Sequence, residues 1–237
     1  MRLHFTSILA VHIIVALAYS SSAWGQIVNG DVETGDLSGW QPTGTVSISS
    51  DQNFRTAGGV GEFTTGNFVV ALGGANNPNN GFLDQEFITT ADANYTLNFD
   101  YGAFSVYVGA QSIEITVEDV SSGQTLLRET ILDSSTTNDL QQVFDSYVFQ
   151  FKATGTMTRL TFADSSTATF AIDGIVDNVR VSLLGDVNQD GGVDFADIPA
   201  FIEILIGGAF LAEADINQDS AVDFADIPGF IEILIAR

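Results

Sequence analysis

Cysteine is absent from this chain of 237 residues, which excludes a disulfide framework, thiolate chemistry and any Cys-ligated metal site. Histidine is almost absent. Its two copies, His4 and His12, both fall within the first 25 residues, so Ser–His and zinc–His mechanisms have nothing to run on beyond that segment. Basic side chains are scarce as well, 7 Lys and Arg against 30 Asp and Glu, for a formal net charge of −23. That imbalance excludes nucleic acid as a partner, because phosphate binding draws on clustered cations, and it would repel anionic lipid. Proline is low at 4 residues and glycine high at 23. Hydrophobic residues make up 45%, enough to drive folding, and the length suits one ordinary domain plus a small one.

The first 25 residues read as a signal peptide. Arg2 supplies a short basic start, Ile8 to Ala18 is apolar except for His12, and Ser20 to Gly25 supplies small residues before a cut near Gly25–Gln26. A membrane anchor is the competing reading, but the run is far shorter than the ~20 residues that span a bilayer. Phe201 to Ile206 and Phe230 to Ile235 are short and each holds a glutamate, so no membrane span is expected in the mature chain. The expectation is a bacterial-type export to the extracellular space or cell surface. An exported chain without cysteine needs another source of stability, and a bound metal is one.

Residues 26–184 alternate with period two. Tyr95, Leu97, Phe99 and Tyr101 interleave with Thr96, Asn98 and Asp100; Ile113, Ile115 and Val117 interleave with Glu114, Thr116 and Glu118. Tyr147, Phe149, Phe151 and then Leu160, Phe162 continue the pattern, with Gly-, Asn- and Ser-rich breaks such as 73–81 and 121–123. About ten short strands in two stacked antiparallel sheets are predicted. Glu114 and Glu118 share one strand face, which admits a paired-carboxylate glycosidase, but that face is the one predicted to be wet.

Two stretches here carry a likeness. Asn29 to Trp40 (NGDVETGDLSGW) resembles the opening, and Ile172 to Val181 (IDGIVDNVRV) the last strand, of secreted jelly-roll modules of the galactose-binding-like, carbohydrate-binding type. The stretch from Leu83-Asp84-Gln85 to Tyr95–Gly102 is similar to their central strands. The resemblance implies a jelly-roll β-sandwich whose first and last strands lie close together. It also implies a structural calcium there, carried onto Glu33 and Asp177 with Asp31 as a further ligand; plain turn and edge acids are the other reading of these residues. Trp40 reads either as a sugar-stacking platform or as an aromatic closing the core.

Residues 185–237 are a tandem repeat. GDVNQDGGVDFADIPAFIEILIGG (185–208) and ADINQDSAVDFADIPGFIEILIAR (214–237) are identical at seventeen of 24 positions with a period of 29. Each copy reads as a calcium loop followed by a helix. Loop positions 1, 3, 5, 7, 9 and 12 fall on Asp186, Asn188, Asp190, Gly192, Asp194 and Asp197, then on Asp215, Asn217, Asp219, Ala221, Asp223 and Asp226. Alternate side chains of a curled loop converge on one centre, position 7 supplies a carbonyl, and hard oxygen donors in that number suit Ca2+. A solvated acidic turn with an N-cap Asp is the bland alternative for a single copy. Val193 and Val222, at position 8, are expected to pair. Phe195, Ile198, Phe201, Ile202 and Leu205 should form one helix stripe, repeated by Phe224, Ile227, Phe230, Ile231 and Leu234, with Phe210 and Leu211 capping.

No helix precedes Asp186, so this is not a standard EF-hand; the two loop–helix units resemble a type I dockerin. The resemblance implies a small all-α domain over 185–237 and a cohesin-like partner. Position 6 departs, as Gly191 in one loop and Ser220 in the other, so the second site is expected to be weaker. The hydroxyl pair that cohesin-binding dockerins carry at positions 10 and 11 is replaced by Phe195-Ala196 and Phe224-Ala225, which favours a self-contained calcium-stabilised tail, or docking to another surface, at least equally. No Pro- or Ser-rich linker separates 184 from 185, so the tail should sit near the last strand. The whole reads as a mainly β, non-catalytic, secreted calcium-binding protein. A carbohydrate-binding component of a polysaccharide-degrading system is the alternative, and a glycoside hydrolase a more distant one.

Overall fold

The computed structural model describes residues 27–50, 66–73, 80–105, 109–135, 143–167 and 172–235. The segment read as a signal peptide lies outside them. Ten strands form where the period-two pattern runs: β1 (Gln41–Thr43), β2 (Val46–Ser50), β3 (Phe68–Leu72), β4 (Phe82–Ile88), β5 (Asn94–Ser105), β6 (Gly109–Asp119), β7 (Thr125–Ser135), β8 (Val143–Lys152), β9 (Met157–Asp164) and β10 (Ile172–Leu183). They build two antiparallel five-stranded sheets, β1-β4-β9-β6-β7 and β2-β3-β10-β5-β8. From β3 to β10 the chain crosses between the sheets at every connection except the β6–β7 hairpin, which is the strand order of a jelly roll.

The core lies between the sheets. Tyr95, Leu97, Phe99, Tyr101, Ile113, Ile115, Val117, Leu160 and Phe162 are all buried, each on the inward phase of its strand. Phe99 meets Phe162 edge-on at 5.0 Å across the sheets, and Tyr95 stacks on Phe151 at 5.4 Å.

The opening segment is clamped to both sheets. The Gln85 amide on β4 bonds both backbone groups of Val28, at 2.6 and 3.0 Å. Val179 N–H on β10 donates to Gly30 O at 2.9 Å, so the start and end of the sandwich do lie together. A Cβ at Gly30 would sit 1.9 Å from Val179 O, so only glycine allows this approach. Trp40 is a core residue, 5% exposed, packed 6.3 Å from Phe162 with its Nε1–H donated to Asn29 O. The sugar-platform reading of Trp40 therefore fails: the indole is spent on closing the sandwich.

Beyond β10 come two short helices, α1 (Asp197–Gly207) and α2 (Ile227–Ile235), each after one loop. Pro199 and Pro228 fall in the first turns, where a missing N–H costs little. Gly208, at φ 68°, ends α1 with its N–H on Ile204 O. Phe201 and Phe230 stack at 4.1 Å in a small core with Val187 and Ala214. The expected stripe holds at three of its five positions in each copy. Ile198, Leu205, Ile227 and Leu234 pack on this core, joined by Ile204. Phe195 and Phe224, 70% and 80% exposed, and Ile202 and Ile231 face outward instead. The position-10 phenylalanines precede the helices, so helical spacing does not carry them inward. Among the described residues Val193 and Val222 form no strand pair; Val193 belongs to the sandwich core and Val222 packs on the tail core. Among the described residues no helix is long and apolar enough to cross a membrane.

Candidate functional site

Both acidic loops close on their own backbone in nearly the same way; the second adds one bond, from Ile216 N to Asp226 (2.8 Å), that the first lacks. In the first, Asp186 accepts the N–H groups of Asp190 and Gly191 (3.1 and 3.0 Å), Asn188 that of Asp190, Asp190 that of Gly192, and Asp194 that of Ala196. Asp197, at the head of α1, reaches back to Asn188 N (2.9 Å) and Asp194 N (2.8 Å). In the second, Asp215 accepts from Asp219 and Ser220, Asn217 from Asp219, Asp219 from Ala221, and Asp223 from Ala225. Asp226 again spans the loop, to Asn217 N (3.0 Å) and Asp223 N (2.9 Å). Apart from the Ile216 bond, every one of these bonds in one copy has its partner 29 residues on. The curl also demands left-handed backbone at Gln189 (φ 61°), Gly191 (φ 93°), Gln218 (φ 63°) and Ser220 (φ 68°).

The charge balance of the loops is unfavourable as the protein alone provides it. Asp186, Asp197, Asp215 and Asp226 are buried, yet among the described residues no Lys or Arg forms an ion pair with any loop acid. Burial, with the nearby charges of Asp197 and Asp190, pushes the Asp186 carboxyl up to about 6 against the N–H of Gly191. Among the described residues no three His, Cys, Asp or Glu side chains gather into a metal-holding group. The loop donors are of mixed kind: carboxylates, an Asn amide oxygen and the carbonyls of Gly192 and Ala221. That set is the right chemistry for a hard, oxygen-seeking cation.

The acids expected to hold a sandwich calcium each accept backbone hydrogen bonds. Glu33 accepts Asn67 N (2.7 Å), Asn67 Nδ2 (3.2 Å) and Phe68 N (2.9 Å), latching the opening turn to the start of β3. Burial raises its pKa, but the bonds from Phe68 and Asn67 outweigh that and hold it below its ordinary value. Asp31 accepts Glu33 N, and buried Asp177 accepts Asn178 N at the β10 bulge.

A second surface went unread in the sequence. On the outer face of the first sheet, Glu86, Arg159 and Glu118 lie in one row across β4, β9 and β6. Asp84, Thr161, Thr116 and Arg128 form the next, then Phe82, Ala163 and Glu114. Arg159 pairs with Glu86, and Arg128 lies 4.0 Å from Glu114. Burial raises the Asp84 pKa, aided by Glu86 and opposed by Arg159. Phe82 is 43% exposed at the edge of this polar face. Glu114 and Glu118 do point outward, as the alternation predicts.

Several solved structures are similar. TmCBM61 in complex with β-1,4-galactotriose shares 15% identity at a TM-score of 0.46, over 67% of this chain and 98% of that one. A CBM4 structure shares 12% at 0.37, over 66% and 99%. The CBM22-1–CBM22-2 tandem of Xyn10C from Paenibacillus barcinonensis shares 12% at 0.46, over 69% and 46%. Likenesses this distant leave function to the chain's own residues. No curated protein matches it. Residues 24–182 match a family described as "Protein of unknown function (DUF642)", a match that ends before the duplicated tail.

Proposed function

The chain belongs to the DUF642 family of proteins of unknown function, and from that premise we propose an exported, non-catalytic, carbohydrate-associated jelly-roll module whose calcium-organised, dockerin-like tail attaches it to a larger assembly or surface. The observation that carries the sandwich part is the outer face of the first sheet. Glu86, Arg159 and Glu118 alternate there across three strands beside an exposed phenylalanine, a set of donors, acceptors and apolar surface that suits sugar hydroxyls and a sugar ring face. Cys–His and Ser–His chemistry does not compete with this reading among the described residues. The chain has no cysteine, and neither histidine lies beyond residue 12.

The tail part is supported by the position-by-position repetition of the loop hydrogen bonds around buried, uncompensated carboxylates. Asp186, Asn188, Asp190, Gly192, Asp194 and Asp197 would hold one cation, and Asp215, Asn217, Asp219, Ala221, Asp223 and Asp226 the other. The bound cation would supply the positive charge that these loops lack. Attachment is supported by apolar side chains left outside at matching positions of both repeats, Phe195 with Phe224 and Ile202 with Ile231. A cohesin-like or other surface protein is the kind of partner such a tail would take.

A glycan array and affinity electrophoresis test the first part. Retention by at least one polysaccharide is expected, weakened in Glu86→Ala and Arg159→Ala. Indifference to every glycan would remove the carbohydrate role. Calorimetric titration with calcium tests the second, and two bound ions per chain are expected.

A further inference from the structure

The connector between the loops is itself a contact surface. Glu213 occupies the place in the second repeat that Leu184 holds in the first. It is an acid with no exposed surface, accepting the Ser182 hydroxyl and lying 3.3 Å from Arg180 Nη2. Its backbone carbonyl accepts Gly185 N–H at 2.8 Å, tying the two loop openings together. Two residues later, the carbonyl of Asp215, the first ligand position of the second loop, accepts Gln150 Nε2 at 3.2 Å. Arg180 and Ser182 stand on β10 and Gln150 on β8, with Thr96 between Ser182 and Gln150 on β5, so the connector lies across the outer face of the second sheet.

This joint carries a cost of its own. Asn98 Nδ2, Arg180 Nε, Gln150 Oε1 and Glu213 Oε2 are buried there without a protein partner, and their desolvation opposes closure. The second loop is also the one in which Ser220 must hold φ 68°, where the first loop has a glycine. The first loop needs no such support, because it follows β10 directly and Leu184 N–H is fixed to Asn94 O at 2.9 Å.

We propose that the second loop and the sandwich are coupled through Glu213 and Asp215: cation uptake by the loop seats the connector on the sheet, and the seated connector strengthens cation uptake. The coupling is reciprocal, as linkage requires. It rests on the calcium reading of the tail, and the test separates the two.

The test uses the full exported chain with calcium alone as ligand. Trp40 fluorescence reports the sandwich and far-ultraviolet circular dichroism reports the helices. In the wild type, saturating calcium should raise the Trp40-detected transition by about 5 °C or more. In Glu213→Ala that rise should vanish while the helices still respond to calcium. Should this variant fail to fold, Gln150→Ala carries the test, with second-site affinity expected to fall about fivefold and the first site unchanged. Two ions bound by the wild type with no shift at Trp40, or shifts and affinities unaltered in both variants, overturn the coupling and leave the calcium reading intact. No calcium uptake at all overturns the calcium reading first.

Discussion

Phe201 and Phe230, 29 residues apart and equivalent in the two repeats, stack on each other at 4.1 Å with 17° between their rings. This contact joins α1 to α2 about the internal repeat, at the centre of a core whose other buried apolar side chains among the described residues are Val187 and Ala214. Phe201→Ala should therefore cost about 3–5 kcal/mol of tail stability, because it removes a stacked ring and leaves a cavity at the centre of the core. Denaturant unfolding followed at 222 nm measures it, and a loss below about 1 kcal/mol would mean that the tail core lies elsewhere.

Chelation should act on the same helices. On the proposed calcium reading, a chelator would leave the buried acids of both loops without a compensating cation, so the helical signal should fall with EDTA and return with excess calcium. Asp197→Ala and Asp226→Ala should each delete one of two calorimetric binding events. Each removes the side chain that ties the far end of its loop to the position-3 N–H. Retention of both events in either variant would show that the twelfth position is not a ligand.

Ser220→Gly should tighten the second site. A serine at φ 68° carries backbone strain that glycine does not, of the order of 1 kcal/mol, or about fivefold in affinity. Side-by-side titration of wild type and variant reads this directly. An unchanged second-site Kd would show that the loop relaxes around Ser220 when the ion binds.

Acid should loosen the opening segment through Glu33. Its folded pKa is held below the ordinary 4.5 by the bonds from Phe68 and Asn67, despite burial. A group with a depressed folded pKa contributes its stability above the unfolded value and loses it as pH falls through the folded value. The stability gap between wild type and Glu33→Gln should thus be full at neutral pH and narrow steadily below about 4.5. A gap independent of pH would show that the carboxylate charge is not what holds the latch.

Gly30→Ala should break the clamp between the opening segment and β10. The added methyl would meet Val179 O at 1.9 Å, which backbone cannot yield without separating the two segments. Because Trp40 donates to Asn29 O next door, a lower melting temperature and a red-shifted tryptophan emission are expected together. An unaltered emission maximum would place the strain away from the indole.

Much of this molecule was already settled in the order of its residues. Alternation put Tyr95, Leu97 and Phe99 on one side of β5 and Glu114 and Glu118 on the other side of β6 from Ile115, because successive side chains of a strand point in opposite directions. The 29-residue repeat set the loop positions of Asp186 to Asp197 and Asp215 to Asp226, since a curl of twelve residues depends only on neighbours along the chain. Tertiary structure alone determined what met across distance. It buried Trp40 against Phe162, turned Phe195 and Phe224 outward, aligned Glu86, Arg159 and Glu118 into a row, and laid Glu213 on Arg180 and Ser182. Those meetings join segments tens of residues apart, and they follow from which faces fit when the sheets close, a condition that no local period encodes.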